Sequence, residues 1–258
     1  MKSKKRQSYI LIAVLIILIV INYPFLDKAL ENYFSNYETG IVERVVDGDT
    51  VYINSSSVRL LGINSPERGE QYYTEAKLYL EDLILNKTVK LEFGKEKYDL
   101  YNRKLAYLFL DNQNINLELV ENGYANYYFP SGRDKYYNQF KNAWEQCIEQ
   151  NINLCEASQE NCIVLKEFDY NNEIVILENI CSNIYNIEVW SIKDEGRKNF
   201  VFPNIDLEPN QQIELRVGQG NNNKTTLFWE GEDYVWTKTG DTLFLRDKDN
   251  KLVLFESY

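Results

Sequence analysis

The chain has 258 residues, 44% of them hydrophobic and 26% charged, which is too apolar for a disordered polymer and long enough for two modest domains. Its net charge of -11 excludes a generic basic coat for nucleic acid, so any polyanion must be met at a local site. With no histidine, imidazole-based triads and histidine metal centres are excluded, and an enzymatic base must be a carboxylate, Lys, Tyr or Cys.

The charge is uneven: residues 1–40, 41–158 and 159–258 carry net +2, -5 and -8. Lys2, Lys4, Lys5 and Arg6 crowd the tip, and no charged residue occurs from Gln7 to Leu26. Such a run of about 20 residues is long enough to cross a hydrocarbon core as a helix, with the basic tip kept in the cytoplasm. Asn22, Tyr23, Pro24 and Phe25 come next, a poor setting for signal-peptide cleavage, so residues 1–26 read as an uncleaved signal anchor rather than a removed leader. Residues 27–40 form a polar juxtamembrane spacer. Residues 41–258 are then expected on the extracytoplasmic side.

Short alternating runs predict strands at Ile41–Val46, Thr50–Ile53, Ser57–Ile63, Val89–Phe93 and Lys104–Leu110. Helical spacing is found at Thr74–Leu85, Asn116–Asn122 and Lys135–Glu149. A few short strands with a helix between the third and fourth predict a small Greek-key barrel over 41–150. Residues 151–161 read as a linker. From Cys162 onward only strands are expected, at Ile163–Phe168, Glu173–Asn179, Ile187–Ile192, Gln212–Val217, Thr225–Trp229 and Thr242–Arg246, which predicts an all-β sandwich over 162–258. The fold class is therefore mainly β.

The cysteines are Cys147, Cys155, Cys162 and Cys181. They form no C-x-x-C pair, so zinc is disfavoured, and outside the membrane an even number favours disulfides. Cys162 and Cys181 flank a hairpin turning near Asn171-Asn172 and could face each other, leaving Cys147 for Cys155; four reduced, buried thiols are the alternative.

Three clusters could carry chemistry. Val46-Asp47-Gly48-Asp49-Thr50-Val51 aims carboxylates from a tight turn, although such turns are common in plain hairpins. Val58-Arg59-Leu60-Leu61-Gly62-Ile63-Asn64-Ser65-Pro66-Glu67 sets an arginine in a buried strand, where it needs an anion or a carboxylate. Tyr98-Asp99-Leu100-Tyr101-Asn102-Arg103-Lys104 sets a second arginine beside aromatic rings.

In this order, VDGDTV, VRLLGINSPE and DLYNRKLAY, with LVENGYA after them, resemble the staphylococcal-nuclease-like (thermonuclease) family over about residues 41–148. The resemblance implies an OB-fold barrel that hydrolyses phosphodiester bonds of DNA and RNA with one Ca2+, leaving 3′-phosphates. It implies Asp49, Asn64 and the Ser65 carbonyl as metal ligands, Glu67 as general base, and Arg59 and Arg103 as a phosphate clamp. Thr50 and Asp47 are then supporting residues, Asp99 and Tyr101 lie on the substrate side, and the Tyr127-Tyr128-Phe129 run offers a stacking face for a base or core packing. The family commonly has Asp at the position of Asn64; the amide removes one negative charge and implies weaker Ca2+ binding. Arg59, Arg68, Arg103, Lys104, Arg133 and Lys135 could make a local positive face on an otherwise acidic domain.

Residues 162–258 carry Glu173, Asn179, Trp190, Asp194-Glu195-Gly196, Leu207-Glu208-Pro209, Trp229, Trp236 and Gly240-Asp241-Thr242-Leu243. This pattern resembles the lamin-tail domain, an immunoglobulin-like sandwich, which implies a binding or positioning module for a ligand or partner still to be named. Its tryptophans read as core anchors, and Asp241, Asp247 and Asp249 as turn carboxylates rather than a metal loop. The expectation is a membrane-anchored, extracytoplasmic, Ca2+-dependent nuclease. The alternatives are an inactive nuclease-like binding protein and a surface scaffold or adhesion protein dominated by the sandwich.

Overall fold

Alternation of apolar and polar residues builds two β-rich domains in the computed structural model, which describes residues 37–258 together with Ile12, Val14 and Leu18. Those three residues are helical and exposed; the rest of the expected anchor, residues 1–26, lies outside the described residues. Among the described residues no helix is long and apolar enough to cross a membrane.

The first domain runs β1 (Tyr37–Val45), β2 (Thr50–Ile53), β3 (Ser56–Leu60), β4 (Ile63–Asn64), α1 (Tyr73–Ile84), β5 (Thr88–Tyr98), β6 (Lys104–Leu110), β7 (Gln113–Asn114), α2 (Ile115–Glu121), β8 (Asn126–Tyr127) and α3 (Tyr137–Gln150). The sheet order is β3-β2-β1-β5-β6-β7, and β3 also pairs with β6, which closes five strands into an OB-like barrel. Closure removes the free edges that an open sheet of this size would expose. Val42, Val51, Val58, Leu91 and Leu108 point inward. Ala76, Leu80 and Ile84, one turn apart, seat α1 on the barrel. Asn116 on α2 is fully buried; it donates through Nδ2 to the Leu61 and Ala106 carbonyls and accepts from the Leu108 amide.

The run Ser57–Ile63 is not one strand. It breaks after Leu60, and Ile63 and Asn64 pair instead with Tyr127 and Asn126. Gly62 makes the break at φ 75°, where a Cβ would lie 3.1 Å from the Tyr107 ring and 3.2 Å from that of Phe129. Strand β5 also runs longer than expected, to Tyr98.

The second domain holds β9 (Ile163–Asp169), β10 (Ile174–Asn179), β11 (Tyr185–Asn186), β12 (Ser191–Lys193), β13 (Asn199–Val201), β14 (Asp206–Leu207), β15 (Gln212–Val217), β16 (Thr226–Trp229), β17 (Thr242–Arg246) and β18 (Leu252–Ser257). Its four-stranded sheets, β16-β15-β10-β9 and β13-β12-β17-β18, enclose a core that includes Trp190, Trp229 and Trp236. The expected strand at Ile187–Ile192 begins only at Ser191, because Val189 sits at φ 65° and the Trp190 amide donates back to Ile187 in a turn.

The disulfides join Cys147 to Cys155 and Cys162 to Cys181. The latter closes the β9–β10 hairpin, and loop closure of this kind restricts the unfolded chain by roughly 3 kcal/mol per bridge. Residues 151–161, expected as a linker, are packed: Ser158 donates to the Leu252 carbonyl and Leu252 to that of Glu156, each at 2.8 Å. Phe244 and Leu252 of the second domain belong to the core of the first. Phe244 meets Trp144 edge-on at 5.5 Å, and the Tyr127 and Thr242 hydroxyls are 2.9 Å apart. The domains share a core rather than a tether.

Candidate active site

The turn from β1 to β2 delivers Asp49, and the break after β3 delivers Asn64 and Ser65 against it. Gly48 permits the approach: a Cβ there would fall 2.7 Å from that of Ser65 and 2.9 Å from that of Ala76. Asp47 tightens the same turn by accepting from the Asp49 amide at 3.2 Å.

Asp49 is buried, and its oxygens are fully engaged. Oδ2 accepts from the amide and hydroxyl of Ser65, both at 3.0 Å, and Oδ1 accepts from Thr50 Oγ1 at 3.0 Å. Oδ1 also forms an ion pair with Arg59 Nη1. Arg59 Nη2 donates to the Ile63 carbonyl at 3.2 Å and to Asn64 Oδ1 at 3.1 Å. Burial, and then the neighbouring charge of Arg103, pull the Arg59 guanidinium down to about 10, which leaves it charged at neutral pH. Asp49, Thr50, Arg59, Asn64 and Ser65, chosen from sequence, therefore form one connected cluster.

Arg103 is built separately. Asp99 accepts from the Tyr101 amide at 2.9 Å, from the Arg103 amide at 2.8 Å and from Arg103 Nε at 2.7 Å. Burial opposes ionisation of Asp99, but the hydrogen bonds and charge of Arg103 outweigh it and hold the carboxyl below its usual range. With Nε so anchored, the Nη groups of Arg103 remain for a ligand. Arg59 and Arg103 line one cavity of about 560 Å3, together with Tyr98, Leu100, Tyr107 and Tyr128. Tyr101 stands 81% exposed, with the Arg103 guanidinium over its ring at 5.6 Å.

In the Tyr127-Tyr128-Phe129 run, Tyr127 and Phe129 are buried and pack on the rings of α3, and Tyr128 and the edge of Phe129 line the cavity. The expected basic face is mostly neutralised: Lys104 pairs with Glu38 and Lys135 with Glu92, each at 2.5 Å, and Arg133 donates to the Tyr258 carbonyl. Arg68 is exposed. In the second domain Asp247 accepts from the Asp249 and Lys251 amides, and Asp241 from those of Glu195, Thr237 and Thr242, as turn carboxylates do.

Glu67 is half-exposed, and its Oε1 meets Arg197 Nε of the second domain at 2.7 Å. Asn64 Nδ2 donates to the Gly196 carbonyl at 2.7 Å. Neither partner was found by sequence reasoning, where Asp194-Glu195-Gly196 is only a turn signal. Among the described residues no group of three or more Asp, Glu, His or Cys is arranged to hold a metal; the oxygens of Asp49, Asn64 and Ser65 are a sparser set.

Residues 57–156 match the family described as Staphylococcal nuclease homologue, and residues 156–258 the Lamin Tail Domain. The thermonuclease of Staphylococcus hyicus is 30% identical over 141 residues, covering 51% of this chain and 82% of that protein. The chain belongs to the staphylococcal nuclease homologue family. Another member, the thermonuclease of Staphylococcus intermedius, is 28% identical over 169 residues, covering 60% of this chain and 99% of that protein. Endonuclease YhcR of Bacillus subtilis is 33% identical over 127 residues, 40% of this chain but 10% of that protein. The family match starts inside β3, so Asp49 joins the site from upstream of it. This nuclease homologue runs directly into its lamin tail domain, the boundary falling at Glu156.

Proposed function

We propose that the chain is a Ca2+-dependent nuclease that hydrolyses phosphodiester bonds of DNA or RNA, held outside the cell membrane by residues 1–26. The observation that carries the enzymatic part is the buried Asp49–Arg59–Asn64–Ser65 cluster, with Glu67 two residues beyond it and Arg59 opening on the cavity that Arg103 also lines.

The donor set fits a hard cation. Asp49, the Asn64 amide oxygen and the Ser65 carbonyl are all oxygens, the ligand type of Ca2+, but Arg59 holds Asp49 Oδ1 and Asn64 Oδ1, so these become free for a cation only as Arg59 turns to the phosphate. A bound Ca2+ supplies charge neutralisation at the phosphate and a place for an oriented water. With a single carboxylate among these ligands, affinity is expected to be low.

The side chains of the protein do the remaining work. Arg59 and Arg103 hold the phosphate oxygens and stabilise the charge that grows on them in the five-coordinate transition state. Glu67 takes the proton of the attacking water as its oxygen bonds to phosphorus. The P–O5′ bond breaks, the departing 5′ oxygen takes a proton from solvent water and Glu67 returns its own to solvent, leaving a 3′-phosphate and a 5′-hydroxyl. No step calls for imidazole, in keeping with a chain that has none.

Cleavage of denatured DNA by the wild type and by Glu67→Gln, each with Ca2+ and with EDTA, tests this reading. EDTA is expected to abolish activity, and Glu67→Gln to lose about 10²- to 10⁴-fold, the usual contribution of a positioned base. Equal cleavage by both proteins would remove Glu67 from its role. The anchor is supported by the uncharged run and the basic tip; recovery of the protein from the soluble fraction of cells would count against it.

A further inference from the structure

The loop that carries Glu67 is tied to one segment of the lamin tail domain at three successive points. Asn64 Nδ2 donates to the Gly196 carbonyl at 2.7 Å. Glu67 Oε1 pairs with Arg197 Nε at 2.7 Å. Lys193 Nζ donates to the carboxylate oxygens of Glu70 at 2.8 and 2.9 Å, while Glu70 Oε2 accepts from the Glu67 amide at 2.7 Å. On β8, the partner of β4, Asn126 Nδ2 donates to the Glu195 carbonyl at 3.0 Å.

We propose that the lamin tail domain is a working part of the hydrolytic site: Arg197 is a positioning residue for Glu67, and the Gly196 carbonyl sets the orientation of the Asn64 amide. The inference rests on the proposed nuclease activity and assigns the second domain a role within it.

A half-exposed glutamate on a loop samples several rotamers, and only some aim its carboxylate at a water on phosphorus. A guanidinium on Oε1 restricts that choice and leaves Oε2 to accept the proton. At Asn64 only the NH2 end can donate to a carbonyl, so Gly196 turns Oδ1 toward Arg59 and the proposed metal side. A carboxylate at this position would have no proton to offer Gly196.

The Arg197 segment is not a lid. Asp194 and Lys198 close its turn, the Asp194 amide donating to the Lys198 carbonyl at 3.1 Å and the Lys198 amide to Asp194 Oδ1 at 2.9 Å. The strand β17 beside it sends Phe244 into the core of the first domain. Withdrawal of the backbone segment that carries Arg197 would require that shared core to open, so the segment itself is a fixed support rather than a moving gate.

The test is steady-state cleavage of denatured DNA with Ca2+ by the full chain as wild type, Arg197→Ala, Arg197→Lys, Glu67→Gln and the double variant Arg197→Ala/Glu67→Gln, with melting curves of each. Arg197→Ala is expected to lower kcat by about 10- to 100-fold, the scale of a misaimed catalytic group, with KM nearly unchanged. Arg197→Lys should recover part of the loss. In the Glu67→Gln background Arg197→Ala should cost nothing further, since its effect passes through that carboxylate. Melting should move little, because the pair is exposed. If the wild type cleaves and Arg197→Ala matches or exceeds it, or if the loss persists in full beside Glu67→Gln, positioning by Arg197 is overturned while the nuclease reading stands. A folded wild type that does not cleave overturns the nuclease reading and this inference with it.

Discussion

Arg59→Ala is expected to abolish cleavage and to weaken the fold at the same time. Arg59 and Asp49 are buried against each other, with side chains 9% and 6% exposed. Removing the guanidinium strands a carboxylate in a low-dielectric setting, which typically costs about 3–5 kcal/mol. In the proposed mechanism it also removes the charge that stabilises the developing oxyanion, and an arginine in that role is worth about 10³- to 10⁵-fold in rate. Urea unfolding and initial-rate assays separate the two losses. Adding Asp49→Asn to Arg59→Ala should restore much of the stability, because the stranded charge is gone, and none of the activity. Arg59→Lys should fold well and cleave poorly, because an ammonium cannot reach Asp49, the Ile63 carbonyl and Asn64 with one rigid fork. Unfolding of Arg59→Ala at the wild-type urea midpoint would show that Asp49 does not depend on Arg59.

The cluster around Arg59 was legible through the order of three motifs that resemble the nuclease family, since a turn carboxylate or an arginine at a strand end is by itself an ordinary structural feature. The Lys104–Leu110 strand and the apolar stripe of α1 were legible from periodicity, since periods of two and of about four residues report the face a residue occupies. The pairing of Cys162 with Cys181 came from a hairpin read in the same way. The break at Gly62 was not legible: only the fold shows its left-handed φ of 75° and the Tyr107 and Phe129 rings that crowd a Cβ there. Val189 misled more directly, since a β-branched residue in a strand-like run is the last place to expect a positive φ. Lys104 and Lys135 counted as free cations until folding brought Glu38 and Glu92 to them. Thr242–Arg246 reads as a strand, but nothing in that run says that Phe244, on the face opposite Leu243 and Leu245, enters the core of the other domain. Arg197 was the most hidden of all. Its partner lies 130 positions away, and a glycine turn leading into an arginine carries no local mark of a site.

Stability of the protein is expected to fall as pH rises from about 4 to about 8, the reverse of the usual acid-side behaviour. Where the domains meet, Asp194, Glu195 and Asp241 are all buried. Burial, and then the charge of Asp241, push the Asp194 carboxyl up to about 7. Burial is likewise the main cause at Glu195, which is pushed up to about 8 although it accepts from the Thr242 hydroxyl, and it raises Asp241 despite the amides donated to it. In the unfolded chain such groups ionise near pH 4, so between there and about pH 8 the folded state holds protons that the unfolded state has lost. The stability contributed by these raised carboxyls is therefore complete below pH 4 and is lost as pH climbs through their folded values. At about 1.4 kcal/mol per pH unit, raising one carboxyl from near 4 to about 7 or 8 loses on the order of 4–5 kcal/mol at most, and coupling within the cluster keeps the total below a simple multiple. Glu38 and Asp99, held low by lysines and by Arg103, act with the opposite sign and matter only below about pH 4. Glu195→Gln keeps an oxygen for Thr242 Oγ1 and removes the ionisation, so it should match the wild type at pH 4 and exceed it by about 1–4 kcal/mol at pH 8. Urea midpoints at the two pH values decide the matter, and a wild-type stability that is level or rising from pH 4 to pH 8 would sink the assignment. Because the Glu195 carbonyl holds Asn126 and the adjacent Gly196 holds Asn64, ionising this cluster would load the domain contact that holds Asn64 beside Arg59.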